Sequence, residues 1–186
     1  EDERYLIVFA AQSTTGNELY IQDLSNSKGK LVPVVADFEH SHSIVDNEGS
    51  TLLIQTDLDA PNNRIVRVDA SNPVSSNWKD VVPESELAIR GVSTAGGHLF
   101  VNYLKDASTL VKEYDYQGKP IRDINLPGIG TANGFGGRRS ESVVYYSFTS
   151  FTTPPSIYSY DVTTGKSTLY ASPNVDFDPT AYETRQ

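Results

Sequence analysis

Ile65-Val66-Arg67-Val68-Asp69-Ala70-Ser71-Asn72-Pro73 is a short β-prone run closed by an aspartate and then by turn formers. The same grammar recurs at Leu19-Tyr20-Ile21 before Asp23, at Leu110-Val111-Lys112-Glu113-Tyr114 before Asp115, and at Ile157-Tyr158-Ser159-Tyr160 before Asp161. Successive aspartates are 46 residues apart each time. A carboxylate at the end of a strand accepts hydrogen bonds from backbone N–H groups two residues on, which starts a turn. One such residue carries no message, but four in phase define a repeat.

Working outward from each aspartate, a second apolar run lies about 18 residues earlier: Tyr5-Leu6-Ile7-Val8-Phe9, Thr51-Leu52-Leu53-Ile54, His98-Leu99-Phe100-Val101 and Val143-Val144-Tyr145-Tyr146. These runs are continuous, the pattern expected of strands covered on both faces. A more polar run follows each turn: Leu31-Val32-Pro33-Val34-Val35, Trp78-Lys79-Asp80-Val81-Val82, Pro120-Ile121-Arg122-Asp123-Ile124 and Ser167-Thr168-Leu169-Tyr170. Proline in or near three of them marks edge strands. A weaker run precedes the buried one at Ser43-Ile44-Val45, at Ala88-Ile89-Arg90-Gly91-Val92 and at 131–135, with no counterpart before Tyr5.

Four antiparallel strands per 46 residues, joined by short hairpins and with no helical periodicity, make each repeat a propeller blade. The expected fold class is all-β: a β-propeller fragment with three complete four-stranded antiparallel blades plus three strands of a preceding blade. Blade boundaries are expected near Phe38, Leu87 and Gly128, giving a partial propeller over 1–171 and a linker over 172–186. The sequence holds no Met, so an excised piece of a longer chain is expected. An incomplete propeller leaves sheet faces open, and self-association through those faces is expected of the isolated chain.

The composition narrows the function. Net charge is −9, which removes the electrostatic case for nucleic acid. There is no Cys, hence no thiolate metal site and no thiol nucleophile. No run approaches the ~20 apolar residues of a membrane helix, so no membrane partner is expected. The acidic Glu1-Asp2-Glu3-Arg4 does not read as a signal peptide, and a soluble protein of either cytoplasm or periplasm fits.

Several stretches resemble chemical motifs and fall short. Asp37-Phe38-Glu39-His40-Ser41-His42, with Asp46 nearby, offers carboxylates and a His-x-His pair. On a strand that pair would share one face, a route to a metal site, but no third ligand stands at a defined spacing. His98 is expected to be structural. Asp57-Leu58-Asp59-Ala60-Pro61-Asn62-Asn63 lacks the Gly and Glu of a calcium loop. The glycines of 128–137 do not open a helix, so they build no phosphate loop. They are expected to let the first strands crowd together. Gly91-Val92-Ser93-Thr94-Ala95-Gly96 lacks the second Gly of a nucleophile elbow. Arg138-Arg139 beside Ser140-Glu141-Ser142 reads as a charged hairpin tip. No catalytic residue, no metal ligand and no cofactor is assigned.

Three stretches carry a family resemblance. They are Asn63-Arg64-Ile65-Val66-Arg67-Val68-Asp69 running on to Trp78-Lys79-Asp80-Val81-Val82-Pro83-Glu84, then Tyr146-Ser147-Phe148-Thr149-Ser150-Phe151-Thr152-Thr153-Pro154, and the tail from Asp176-Phe177 to Tyr182 and Gln186. With them the whole chain resembles the N-terminal propeller of the prolyl oligopeptidase family of serine peptidases. The resemblance implies the second half of a seven-bladed propeller, with blade four truncated and blades five to seven complete. It implies a lid over the active site of an α/β-hydrolase domain that would begin after Gln186 and would hold the catalytic Ser, Asp and His. The implied substrates are short proline-containing peptides cleaved after proline, and the implied partner is the hydrolase domain of the same protein. In the family some propeller side chains, including an Arg, touch substrate. The matching loop here lies near Phe9 to Gly16 and carries Ala10 and Ser13, so no substrate-binding residue is carried over.

The competing reading is a non-enzymatic, protein-binding β-propeller. WD40 blades carry Gly-His and Trp-Asp pairs and kelch blades a Gly-Gly pair per repeat. Here the sole Trp78 precedes Lys79, and Gly-Gly occurs only at 96–97 and 136–137.

Overall fold

In each sheet one strand ends on an aspartate whose carboxylate captures the following turn. The computed structural model, which describes residues 2–26, 28–175 and 182, shows this four times. Asp23 Oδ1 accepts from the Ser25 N–H (2.9 Å) and Asp69 Oδ1 from the Ser71 N–H (2.9 Å). Asp115 Oδ1 takes two donors, the N–H groups of Gln117 and Lys119, both at 2.9 Å. Asp161 Oδ1 accepts from the Thr164 N–H (2.8 Å), three residues on rather than two, because the turn there is one residue wider. These bonds favour the charged carboxylate. The Asp23 carboxyl is held at about 2, first by Arg4 and then by Ser25, and the Asp69 and Asp161 carboxyls are also lowered.

The strands run β1 Tyr5–Ala10, β2 Glu18–Asp23, β3 Val32–Val35, β4 His42–Glu48, β5 Thr51–Thr56, β6 Arg64–Asp69, β7 Lys79–Val82 and β8 Ala88–Ala95. They continue as β9 His98–Lys105, β10 Ser108–Asp115, β11 Pro120–Asp123, β12 Thr131–Gly134, β13 Val143–Thr149, β14 Ser156–Asp161 and β15 Lys166–Ala171. All pair antiparallel with their sequence neighbours in one three-stranded sheet, β1–β3, and three four-stranded ones, β4–β7, β8–β11 and β12–β15. The chain is therefore all-β, with the strand count the repeat predicts. Among the described residues the sole helical element is one 3-10 turn, Ser75–Asn77.

Two compact units divide the chain, residues 1–88 and 89–186. In the first, Leu19 and Ile21 of β2 meet Leu52 and Ile54 of β5 and Val66 and Val68 of β6, with Tyr5, Ile7 and Trp78 at the margin. In the second, an aromatic stack forms the core. Phe135 lies parallel to Tyr146 (4.4 Å between centroids) and to Phe100 (5.5 Å), while Tyr160 meets both edge-on at 5.8 Å. Such pairs add to plain area burial because ring edges and faces carry opposite partial charge.

Burial of the second strands departs from expectation in two sheets. β5 and β9 are buried nearly throughout, but β13 alternates, with Val143 44% and Tyr145 48% exposed, and in β1 Leu6 is 45% exposed. In β13 the strand period of two puts Val143 and Tyr145 on one face and Val144 and Tyr146 on the other, whereas in β1 the exposed residues, Leu6 and Phe9, lie on opposite faces. A Cβ on Gly134, at φ +125°, would stand 2.7 Å from the Tyr145 carbonyl oxygen of β13, and the Gly137 N–H donates to the Thr94 carbonyl of β8 (3.0 Å), so this glycine-rich stretch lies close both to its own sheet and to another first strand.

Phe100→Ala removes the ring that touches both Phe135 and Tyr160 and should cost about 3–5 kcal/mol of stability, read by urea unfolding.

Candidate functional site

Two polar clusters stand out, one in each unit. In the first unit β1, β3 and β5 all finish at the same end, and the segments that follow them are tied together. The Asn17 N–H donates to the His40 carbonyl (2.9 Å), the His42 N–H donates to Asn17 Oδ1 (2.8 Å), and the Gly16 N–H reaches Ser41 Oγ (3.3 Å). Gly16 takes φ +74°, and a Cβ there would collide with the Phe38 carbonyl, so glycine is required for this approach. Asp57 closes the cluster: its Oδ1 accepts the Ser41 N–H (2.8 Å) and stands 3.3 Å from His40 Nδ1.

The structure thus joins two of the stretches singled out by sequence, 37–42 and 57–63, but not as a metal site. His40 precedes β4 and pairs with Asp57, whereas His42 opens β4 and is buried, with Nδ1 2.9 Å from Thr56 Oγ1. Thr56 Oγ1 already accepts the Leu58 N–H (3.0 Å), so its proton is free for His42 Nδ1. His42 Nε2 is buried without a hydrogen-bond partner, and the ring meets Trp78 edge-on at 5.9 Å. Burial lowers the imidazole's pKa, opposed by the charges of Asp57 and Asp37. Asp46 lies farther along β4, where its carboxylate accepts the Asn47 N–H (2.8 Å). The 57–63 loop is a pair of tight turns, Ala60 N–H to Asp57 O (3.0 Å) and Asn63 N–H to Ala60 O (2.7 Å), around a buried Ala60. Among the described residues no three His, Asp or Glu side chains converge on a point that could hold a metal ion.

The second cluster was not legible as a site in the sequence. Glu113 of β10 is fully buried, and three side chains surround its carboxylate: His98 Nδ1 (2.5 Å) on Oε1, with the Tyr160 hydroxyl (2.5 Å) and Arg122 Nε (3.3 Å) on Oε2. His98, at the start of β9, has the Glu113 carboxylate as its hydrogen-bond partner. Burial and the Glu113 carboxylate push the Tyr160 phenol well above its usual range. A cavity of about 450 Å³, lined by His98, Arg122, Arg139, Glu141 and Ser142 among others, opens beside the cluster. Arg122 and Arg139 share that lining with the Glu141 carboxylate, while Glu113 itself is fully buried. One signal for the cluster did exist. Val111 and Glu113 share a face of β10, so an inward Val placed the Glu inward too, and a buried carboxylate requires donors.

The other candidates have local uses. Ser93 Oγ donates to the Gly134 carbonyl (2.8 Å), so this hydroxyl bridges β8 and β12. The Arg138 N–H donates to Glu141 Oε2 (2.8 Å) across the hairpin tip, and the Arg139 guanidinium lies 4.6 Å from the Tyr116 ring centroid.

Glu113→Gln keeps the shape but gives up the ion pairs, and should cost about 1–3 kcal/mol in chemical unfolding. For His42 the lowered folded-state pKa means that the unfolded chain binds the extra proton. Its contribution to stability is complete above the unfolded value of about 6.5 and is lost as the pH falls below that. His42→Asn should flatten the pH dependence of the unfolding midpoint in that window.

The family described as the prolyl oligopeptidase N-terminal β-propeller domain matches residues 1–173. The chain is 47% identical, over its full 186 residues, to the prolyl endopeptidases of Elizabethkingia miricola and Elizabethkingia meningoseptica, and spans 26% of each of those proteins. A solved prolyl endopeptidase structure, from a study of inter-domain dynamics in catalysis and specificity, superimposes with a TM-score of 0.89 at 35% identity. That match covers 96% of this chain and 26% of the other. The strands, their order and the sequence agree in assigning the chain to one family: it belongs to the prolyl oligopeptidases, as a portion of their N-terminal β-propeller domain.

Proposed function

We propose that this chain is part of the propeller lid of a serine peptidase that cleaves short peptides after proline. The observation that carries the reading is 47% identity, without loss of coverage, to two proteins named prolyl endopeptidase. In this reading residues 1–171 form the propeller portion, with blade boundaries near Phe38, Leu87 and Gly128. Residues 172–186 lead towards an α/β-hydrolase domain, and the sheets act as a wall that admits flexible peptides and excludes folded proteins. Of that linker, only 172–175 and Tyr182 lie among the described residues. The reaction needs a nucleophile, a base and an oxyanion hole in one place. In this reading that constellation belongs to the hydrolase domain.

The test is hydrolysis of a chromogenic proline-containing peptide. The 186-residue chain should give no turnover and the parent protein should, whereas turnover by the chain alone would overturn this division of labour. Exposed apolar side chains on the outer sheets, Leu6 in the first and Val143, Tyr145 and Tyr170 in the last, support self-association of the isolated chain. Light scattering should show its apparent mass rising with concentration, and a monodisperse monomer would refute this.

A further inference from the structure

Phe151 is 101% exposed, the most exposed large hydrophobic side chain among the described residues. It is not on a loose loop. Ser150 Oγ accepts the N–H groups of Thr152 (3.2 Å) and Thr153 (2.9 Å). The Thr153 carbonyl accepts the Ser150 N–H (3.0 Å) and the Thr149 hydroxyl (3.2 Å). Beyond it, Ser156 Oγ donates to the Pro154 carbonyl (2.9 Å), and Pro154 and Pro155 stiffen the return into β14. The turn's backbone is therefore held while it presents a whole phenyl ring to water, so a contact anchored there would have to order only the ring's two side-chain torsions.

The course of the chain says what lies at this end of the sheet. β15 runs antiparallel to β14, and its last residue, Ala171, pairs with Ile157, two residues beyond Pro155. The backbone thus leaves the last sheet at the end where the Phe151 turn projects. The relatives are about four times as long as this chain, since it spans 26% of each.

We propose that Phe151 anchors the contact between this propeller portion and the part of the parent protein that follows residue 186, entering an apolar pocket there. The proposal rests on the reading that such a domain follows. In the parent protein, Phe151→Ser should increase the rate of limited proteolysis between the two parts about tenfold, the effect of losing one anchor aromatic, and Phe151→Leu should retain near-normal resistance. In the 186-residue chain, Phe151→Ser should leave the thermal midpoint unchanged. Three results would overturn the proposal: an unchanged proteolysis rate in the parent variant, a midpoint that falls in the short chain, or loss of the short chain's self-association on substitution, which would make a second copy the occupant. The peptidase reading fails separately, if the wild-type parent does not hydrolyse proline-containing peptides.

Discussion

A β-sheet with two apolar faces cannot stand alone in water, and this requirement governs the rest of the structure. β2, β5 and β6 satisfy it by pressing Leu19, Ile21, Leu52, Ile54, Val66 and Val68 into one layer, and the second unit satisfies it with aromatic rings. Turns, edges and polar clusters are arranged around these layers. Asp23, Asp69, Asp115 and Asp161 do no more than close hairpins, yet they recur at a constant spacing, each at the end of its strand.

Most of the strand pattern was legible because it is local. A run such as Ile65-Val66-Arg67-Val68 followed by Asp69 states its own beginning, pairing and end, and the 46-residue phase supplies the rest. The alternation in β13 was hidden for a non-local reason. Val143-Val144-Tyr145-Tyr146 is continuously apolar in sequence, and only the arrangement of sheets shows that Val143 and Tyr145 face water.

The polar clusters divide along the same line. His40 sits in the connection before β4 and pairs with Asp57, whereas His42 opens the strand, so the His-x-His spacing is divided between a connection and a strand. Glu113 gathers donors from His98, Arg122 and Tyr160, and Tyr160 lies 47 residues away, about one full repeat, so pairing between adjacent strands could not announce it.

The pairing of each aspartate-ended strand with the strand that follows it carries a recurrent irregularity. The register slips at Leu19/Tyr20, Ile65/Val66, Glu113/Tyr114 and Ile157/Tyr158, once in each of these four pairings. A slip of this kind bends and twists the strand beyond it. β3, β7 and β11 are also only four residues long, with Pro33 inside β3 and Pro120 at the start of β11. The outer margins of these three sheets are therefore poor templates for another chain's backbone, whereas β15, six residues long and without proline, is the one outer margin that keeps a longer edge.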